Sequence, residues 1–224
     1  MDPHSHRRIA ACYDGRFQRG YVRGKLASDP VYAATADAIA GCDLPLLDIG
    51  CGIGLLGLYL HARGALPRYV GLDRDERKIT QGRVAVRRAG IEHAIELHAA
   101  DAAALPDLRG HVALLDMLHY LPRDAQAALL QAAIARLAPG GVLVIRSVLR
   151  DGSWRFQATR AEEVWLRVSG LIRGGAQHYH AGPELVAQVV NERAHLAALQ
   201  VVHSVREHLH AFHFLDLVLN RRDA

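Results

Sequence analysis

Five strand-like runs mark the first two-thirds of the chain, at residues 46–50, 69–73, 94–99, 112–116 and 142–148. All but 94–99 are mainly apolar at successive positions; 94–99 alternates Ile95 and Leu97 with Glu96 and His98. A strand that is apolar at successive positions is buried on both faces, as in a parallel sheet. Helical spacing fills residues 54–63, 75–88 and 122–137 between them, with Gly90 as a stop and Pro122 as a start. Pro139-Gly140-Gly141 turns the chain into the fifth run. This alternation predicts an α/β fold around a parallel sheet.

The flanks differ. Residues 7–40 read as two or three short helices, the last over 31–40 after Asp29-Pro30 and stopped by Gly41. Residues 151–182 interrupt the alternation, with Trp154, Phe156 and Trp165 on helical segments and glycines before His178-Tyr179-His180. Such an insert belongs above the carboxyl ends of the strands, where open α/β sheets bind ligands. A helix over 183–196 and strands at 201–205 and 211–219 complete a single domain. Its expected parts are an N-terminal helical segment (1–42), a core (43–150), the insert (151–182) and a closing helix and strand pair (183–224).

The first run leads into Asp48-Ile49-Gly50-Cys51-Gly52-Ile53-Gly54-Leu55-Leu56-Gly57. Glycines at the end of a buried strand permit a tight turn and let a ligand approach the backbone at the start of a helix. Gly52-x-Gly54-x-x-Gly57 also satisfies the dinucleotide fingerprint, with Asp73 at about the expected ~20-residue distance. Asp48 separates the two possibilities. A carboxylate there repels a pyrophosphate but suits the ammonium and sulfonium of S-adenosylmethionine.

The stretch Leu47-Asp48-Ile49-Gly50-Cys51-Gly52-Ile53-Gly54 resembles the first motif of the class I S-adenosylmethionine-dependent methyltransferases. The resemblance covers residues 44–148 well and the C-terminal strands more loosely. It implies a Rossmann-like, mostly parallel seven-stranded sheet in the order 3-2-1-4-5-7-6, the last strand antiparallel, with an N-terminal helical lid. It implies S-adenosylmethionine as cofactor, held by Asp48 and the turn residues Gly50, Cys51, Gly52 and Gly54. Asp73, with Arg74 beside it, stands where the family's acid accepts from the ribose hydroxyls. Asp101-Ala102 matches the adenine position, and Asp116-Met117 ends the fourth strand beside the methionine part. Arg23 and Lys25 are candidates to pair with the cofactor's carboxylate.

His119 is the expected acid–base residue, because its unperturbed pKa is near neutral and it follows the fourth strand. Tyr120 accompanies it, and Tyr13, Tyr21, His178 and His180 are candidate substrate contacts. His178-x-His180 and His208-x-His210 have no accompanying cysteine or carboxylate cluster, so no metal is expected.

Charge narrows the partner. The chain of 224 residues has a net charge of +4, but its arginines are scattered among acids rather than gathered into a patch. Asp116-Met117-Leu118-His119 also lacks the Asn/Asp-Pro-Pro-Tyr/Phe of nucleic-acid amino-methyltransferases. An RNA-modifying enzyme is therefore the first alternative, and a non-catalytic or nicotinamide-binding Rossmann-like protein the second. Cys12, Cys42 and Cys51 make no disulfide framework, and neither a secretory h-region nor a membrane-length apolar run occurs. A cytoplasmic protein is expected.

Two stretches carry a finer resemblance: Tyr21-Val22-Arg23-Gly24-Lys25-Leu26 with Asp29-Pro30-Val31-Tyr32, and Leu115-Asp116-Met117-Leu118-His119-Tyr120-Leu121. They are similar to small bacterial methyltransferases of aryl-polyene and related pigment pathways. That implies a small aromatic or phenolic acceptor, or an acyl group on a carrier, methylated at oxygen or carbon.

Overall fold

The computed structural model describes residues 2–65, 68–148, 178, 179, 184, 199–207 and 213–221. Strands β1 (Leu46–Ile49), β2 (Tyr69–Asp73), β3 (Ile95–Ala99), β4 (His111–Leu115) and β5 (Val142–Val148) pair in parallel. β6 (Leu199–Glu207) and β7 (His213–Arg221) follow, and β7 runs antiparallel between β5 and β6. The seven-stranded sheet has the order β3-β2-β1-β4-β5-β7-β6, as expected from the sequence. Both terminal strands differ from their apolar runs at their ends, because the backbone ladder continues through polar residues as far as Leu199↔Arg221 and Glu207↔His213. The insert at 151–182 and the helix at 183–196 lie outside the described residues, apart from His178, Tyr179 and Glu184.

Six helices are described: α1 (Pro3–Ala11), α2 (Arg16–Ser28), α3 (Val31–Ala38), α4 (Leu55–Ala62), α5 (Glu76–Ala89) and α6 (Arg123–Ala135). Successive side chains of β1–β5 point to opposite faces, and helices pack on both. Leu46, Tyr69, Leu97 and Val144 pack with residues of α1–α5, whereas Leu47, Val70, Leu114 and Ile145 pack with α6. Local signals set the helix ends. Asp75 caps α5 by accepting from the Arg77 N–H at 3.0 Å, and Gly90 ends it in the left-handed conformation.

Two core arrangements matter for the site. Leu97 of β3 sits where three glycines converge: a Cβ added to Gly54, Gly71 or Gly82 would lie 2.9, 2.8 or 2.6 Å from its side chain. Their bare backbones let α4, β2 and α5 close onto β3 together. The second is His111, one residue before the apolar run that predicts β4 and fully buried. Its Nδ1 accepts from the Val142 N–H at 3.1 Å, which leaves Nε2 to donate toward the Cys42 carbonyl at 3.4 Å. The ring is therefore a neutral tautomer that joins β4 to β5 and to the chain before β1. Among the described residues no helix is long and apolar enough to cross a membrane.

Candidate active site

A cavity of about 670 Å³ opens at the carboxyl ends of β1, β2 and β4, roofed on one side by α2 and α3. That volume lies within the range of small-molecule sites. The glycine turn after β1 forms one wall. Gly50 and Gly52 have φ of 84° and 58°, a region L side chains rarely adopt. At Gly50 a Cβ would also strike Met117 at 2.9 Å, whereas at Gly52 it would meet nothing within 4 Å. The Gly52 backbone is thus open to a ligand laid against the turn. Gly54 is not itself part of the wall; it starts α4 in the left-handed conformation and packs on Leu97.

Acidic residues occupy successive strand ends around this wall. Asp73 takes the Gly52 N–H on one oxygen at 2.9 Å and the Asp75 N–H on the other at 2.8 Å. A carboxylate with two backbone donors keeps acceptor capacity for a ligand's hydroxyls. Asp101 accepts from the Ala103 N–H at 2.8 Å in a local turn, with Arg74 and Ala102 also on the cavity wall. Asp48 lines the cavity from within the sheet and is buried, with the Tyr69 hydroxyl donating to it. Burial pushes its pKa up to about 7, more than the Tyr69 hydrogen bond pulls it down, and the nearby Asp73 charge adds to the rise. Burial, reinforced by Asp48 and Asp73, likewise pushes up the neighbouring Cys51 thiol, which argues against a thiolate nucleophile there.

At the opposite wall a charged network was not legible from the sequence. Arg146 sits in the otherwise apolar β5, buried, and reaches both ways. Its Nε donates to Asp116 Oδ1 at 2.8 Å and one terminal nitrogen to Asp116 Oδ2, a two-pronged pairing. Its other terminal nitrogen reaches Asp29 Oδ1 at 2.5 Å, and Lys25 Nζ lies 2.9 Å from Asp29 Oδ2. Burial alone would raise the Asp29 pKa, but the Arg146 and Lys25 charges hold it well below the usual carboxylate range. Burial would likewise lower both cations, yet Asp116 and Asp29 raise Arg146 and Lys25 above their ordinary values. Two cations and two carboxylates balance, which is the condition for burying such charges. Asp116 does not end β4 as the sequence predicts. It turns out of the strand with φ of 56°, held by its N–H to the Arg146 carbonyl at 2.9 Å.

Of the remaining sequence candidates, Tyr21, Lys25, Met117 and Tyr120 line the cavity, and Arg23, His119, His178 and Tyr13 do not. Tyr13 is fully buried, and its hydroxyl donates to the Ile53 carbonyl at 3.1 Å. It braces the glycine turn from the link between α1 and α2 instead of meeting a substrate. Arg23 projects from the exposed side of α2. His119 is buried in a single 3-10 turn, Leu118–Tyr120, with its ring against Tyr120 and stacked on Tyr179 at 5.7 Å. Its carbonyl accepts from the His178 N–H at 2.9 Å, and Gln126 Nε2 donates to the His178 carbonyl at 3.1 Å. His119 and His178 therefore join this turn to a distant segment, and Tyr120 is the member of the turn that reaches the cavity. His180 lies outside the described residues. Among the described residues no cluster of metal-binding side chains occurs.

The sheet order, the antiparallel β7 and a glycine turn at the end of β1 facing Asp73 at the end of β2 define the class I methyltransferase fold. Residues 46–141, under half of the chain, match a family described as a methyltransferase domain. The chain is 28% identical over 144 residues to the ribosomal protein L11 methyltransferase of Pseudoalteromonas atlantica, covering 60% of this chain and 47% of that one. It is 30% identical over 108 residues to the ubiquinone biosynthesis O-methyltransferase of Aeromonas salmonicida, covering 47% of this chain and 44% of that one. The chain thus spans under half the length of either relative. In structure it resembles magnesium protoporphyrin IX methyltransferase from Synechocystis PCC 6803, solved with bound S-adenosylhomocysteine. The TM-score is 0.64 at 17% identity, over 97% of this chain and 93% of that one.

Proposed function

We propose that this protein transfers the methyl group of S-adenosylmethionine to a small aromatic, phenolic or carrier-bound acyl acceptor in the cytoplasm. One observation carries the reading: Asp48 within β1, Asp73 at the end of β2, and Asp101 and Asp116 just after β3 and β4 line one cavity whose wall is an open glycine turn. Bound S-adenosylmethionine supplies an electrophilic methyl group, so the protein's task is chiefly to position the acceptor in line with it.

Each residue then has a role its chemistry allows. Asp73 accepts from the ribose hydroxyls and Asp101 from the adenine amino group. Asp116 faces the ammonium of the amino-acid end and Lys25 its carboxylate. Tyr21, Tyr32, Met117, Tyr120 and Leu121 line the rest of the cavity. They supply apolar and aromatic surface for the acceptor and exclude water. Tyr120 replaces His119 as the group positioned to take a hydrogen bond or proton from the acceptor. Residues 1–42 act as the lid over this cavity. The reading of a small acceptor rests on Tyr21, Lys25, Tyr120 and Leu121, which share the pigment-pathway resemblance and line the cavity.

The test is calorimetric titration of the purified protein with S-adenosylmethionine, S-adenosylhomocysteine and NAD. Micromolar binding of the first two, none of NAD, and a rise in Kd of about tenfold or more in Asp73→Ala support the reading. Binding of NAD alone, or an unchanged Kd in Asp73→Ala, would overturn it.

A further inference from the structure

Asp29 does not line the cavity, yet it is tied to two residues that do. It is the C-cap of α2, its N–H bonded to the Lys25 carbonyl at 2.9 Å, and its Oδ1 accepts from the Val31 N–H at 3.1 Å where α3 begins. The same carboxylate takes Lys25 on one oxygen and Arg146 on the other. Arg146 in turn grips Asp116 with two nitrogens. The junction of two N-terminal helices and the end of β4 thus share one guanidinium. The two exposed ends of the chain of charges are Lys25 and Asp116, a cation and an anion on the same wall, with side-chain exposures of 33% and 31%.

We propose that Asp29 is a positioning residue for the amino-acid end of the cofactor, acting through Arg146 and Lys25. The inference rests on the methyltransferase reading above. A zwitterion needs an anion for its ammonium and a cation for its carboxylate, and Asp116 and Lys25 are spaced to offer both. How fully Asp116 presents its negative charge depends on how much of Arg146 is engaged by Asp29. With Asp29 charged, Arg146 is divided between two carboxylates and the network is neutral. Removing the Asp29 charge gives Arg146 entirely to Asp116, leaves Lys25 without its partner and turns the wall net positive. The ammonium of the ligand is then opposed. The adenosine half, held at the other wall by Asp73 and Asp101, is unaffected.

Asp29→Asn is the discriminating variant. Its side-chain oxygen still accepts from the Val31 N–H, so the α2–α3 junction keeps its cap while the charge is lost. S-adenosylhomocysteine, which carries the zwitterion, and 5′-methylthioadenosine, which lacks it, are titrated against the full chain and against Asp29→Asn and Asp29→Glu. The expected result is a loss on the order of tenfold for S-adenosylhomocysteine in Asp29→Asn, typical of coupled sites. Methylthioadenosine binding is expected to stay unchanged, and Asp29→Glu to restore part of the loss. Equal weakening of both ligands would mean a general structural role and overturn the proposal, as would no weakening of either. Should the unaltered protein bind neither nucleoside, the methyltransferase reading falls and this inference with it. Binding of both nucleosides to the unaltered protein, with the two ligands equally affected in the variant, removes the inference alone.

Discussion

Asp48 offers the sharpest test of the cavity's chemistry, because its charge is poised within the physiological range. The perturbation is pH, with Asp48→Asn as the control. With a pKa of about 7, about one molecule in eleven carries a charged Asp48 at pH 6 and about ten in eleven at pH 8. A cationic ligand stabilised by that carboxylate therefore loses about tenfold in affinity between pH 8 and pH 6. The Tyr69 hydroxyl and Cys51 thiol, pushed upward chiefly by burial, do not titrate in this window. Titration calorimetry of S-adenosylmethionine at both pH values, in buffers of different ionisation heat, reads the affinity and the protons released. About 0.9 proton is expected to leave per ligand at pH 6. Asp48→Asn is expected to bind more weakly at pH 8 and with no pH dependence. A flat affinity in the unaltered protein, without proton release, refutes the assignment of Asp48 to the cationic part of the ligand. The same group also affects the empty fold. Between the usual carboxylate pKa and about 7 the native state keeps a proton that the unfolded chain has lost. Stability therefore falls as pH rises across that interval, by up to about 4 kcal/mol, and Asp48→Asn removes the slope.

His111 has the opposite sign. Burial lowers its pKa below 6.5, against the weaker opposing effect of its Cys42 hydrogen bond, so its contribution is intact above pH 6.5 and is lost as pH falls through the native value. In an Asp48→Asn background the urea midpoint is expected to drop from pH 7.5 to pH 5; an unchanged midpoint would exclude a neutral His111 as the β4–β5 link. Gly82→Ala would place a methyl group 2.6 Å from Leu97 and 2.7 Å from the Ile53 carbonyl oxygen. A loss of about 1–3 kcal/mol in denaturant unfolding is expected, partly recovered by adding Leu97→Val, and additive losses in the double variant would refute the shared-space account.

Much of the sheet was legible because a strand covered on both faces must be mainly apolar, and four such runs stood out. The glycine turn and Asp73 were legible for the same reason: their spacing along the chain is local. The network at the other wall was not. Arg146 is a single charge inside an apolar run, and a buried arginine demands carboxylates. That signal says a partner exists without saying where it lies in the chain. Asp29, 117 residues away, read only as the residue before a proline. His119 failed for a related reason. Position after β4 placed the residue near the cavity, but in this one-turn helix Tyr120 lines the cavity while the His119 ring is buried against Tyr120 and Tyr179. Tyr13 read as a substrate contact because sequence spacing does not reveal that its hydroxyl would find the Ile53 carbonyl.

The packing of Leu97 among three glycines bears on how this cavity can change over generations. Enlarging any one glycine collides with the same side chain, and shrinking Leu97 first opens a void touching all three. No single substitution on this axis is neutral, so α4, β2, α5 and β3 are locked to a common spacing. The wall beside the glycine turn is thereby expected to stay fixed as the sequence diverges, whereas the wall built from Tyr21, Lys25, Tyr120 and Leu121 has no such shared constraint. Divergence among descendants of this chain should accumulate on that second wall, where a new acceptor can be accommodated one residue at a time.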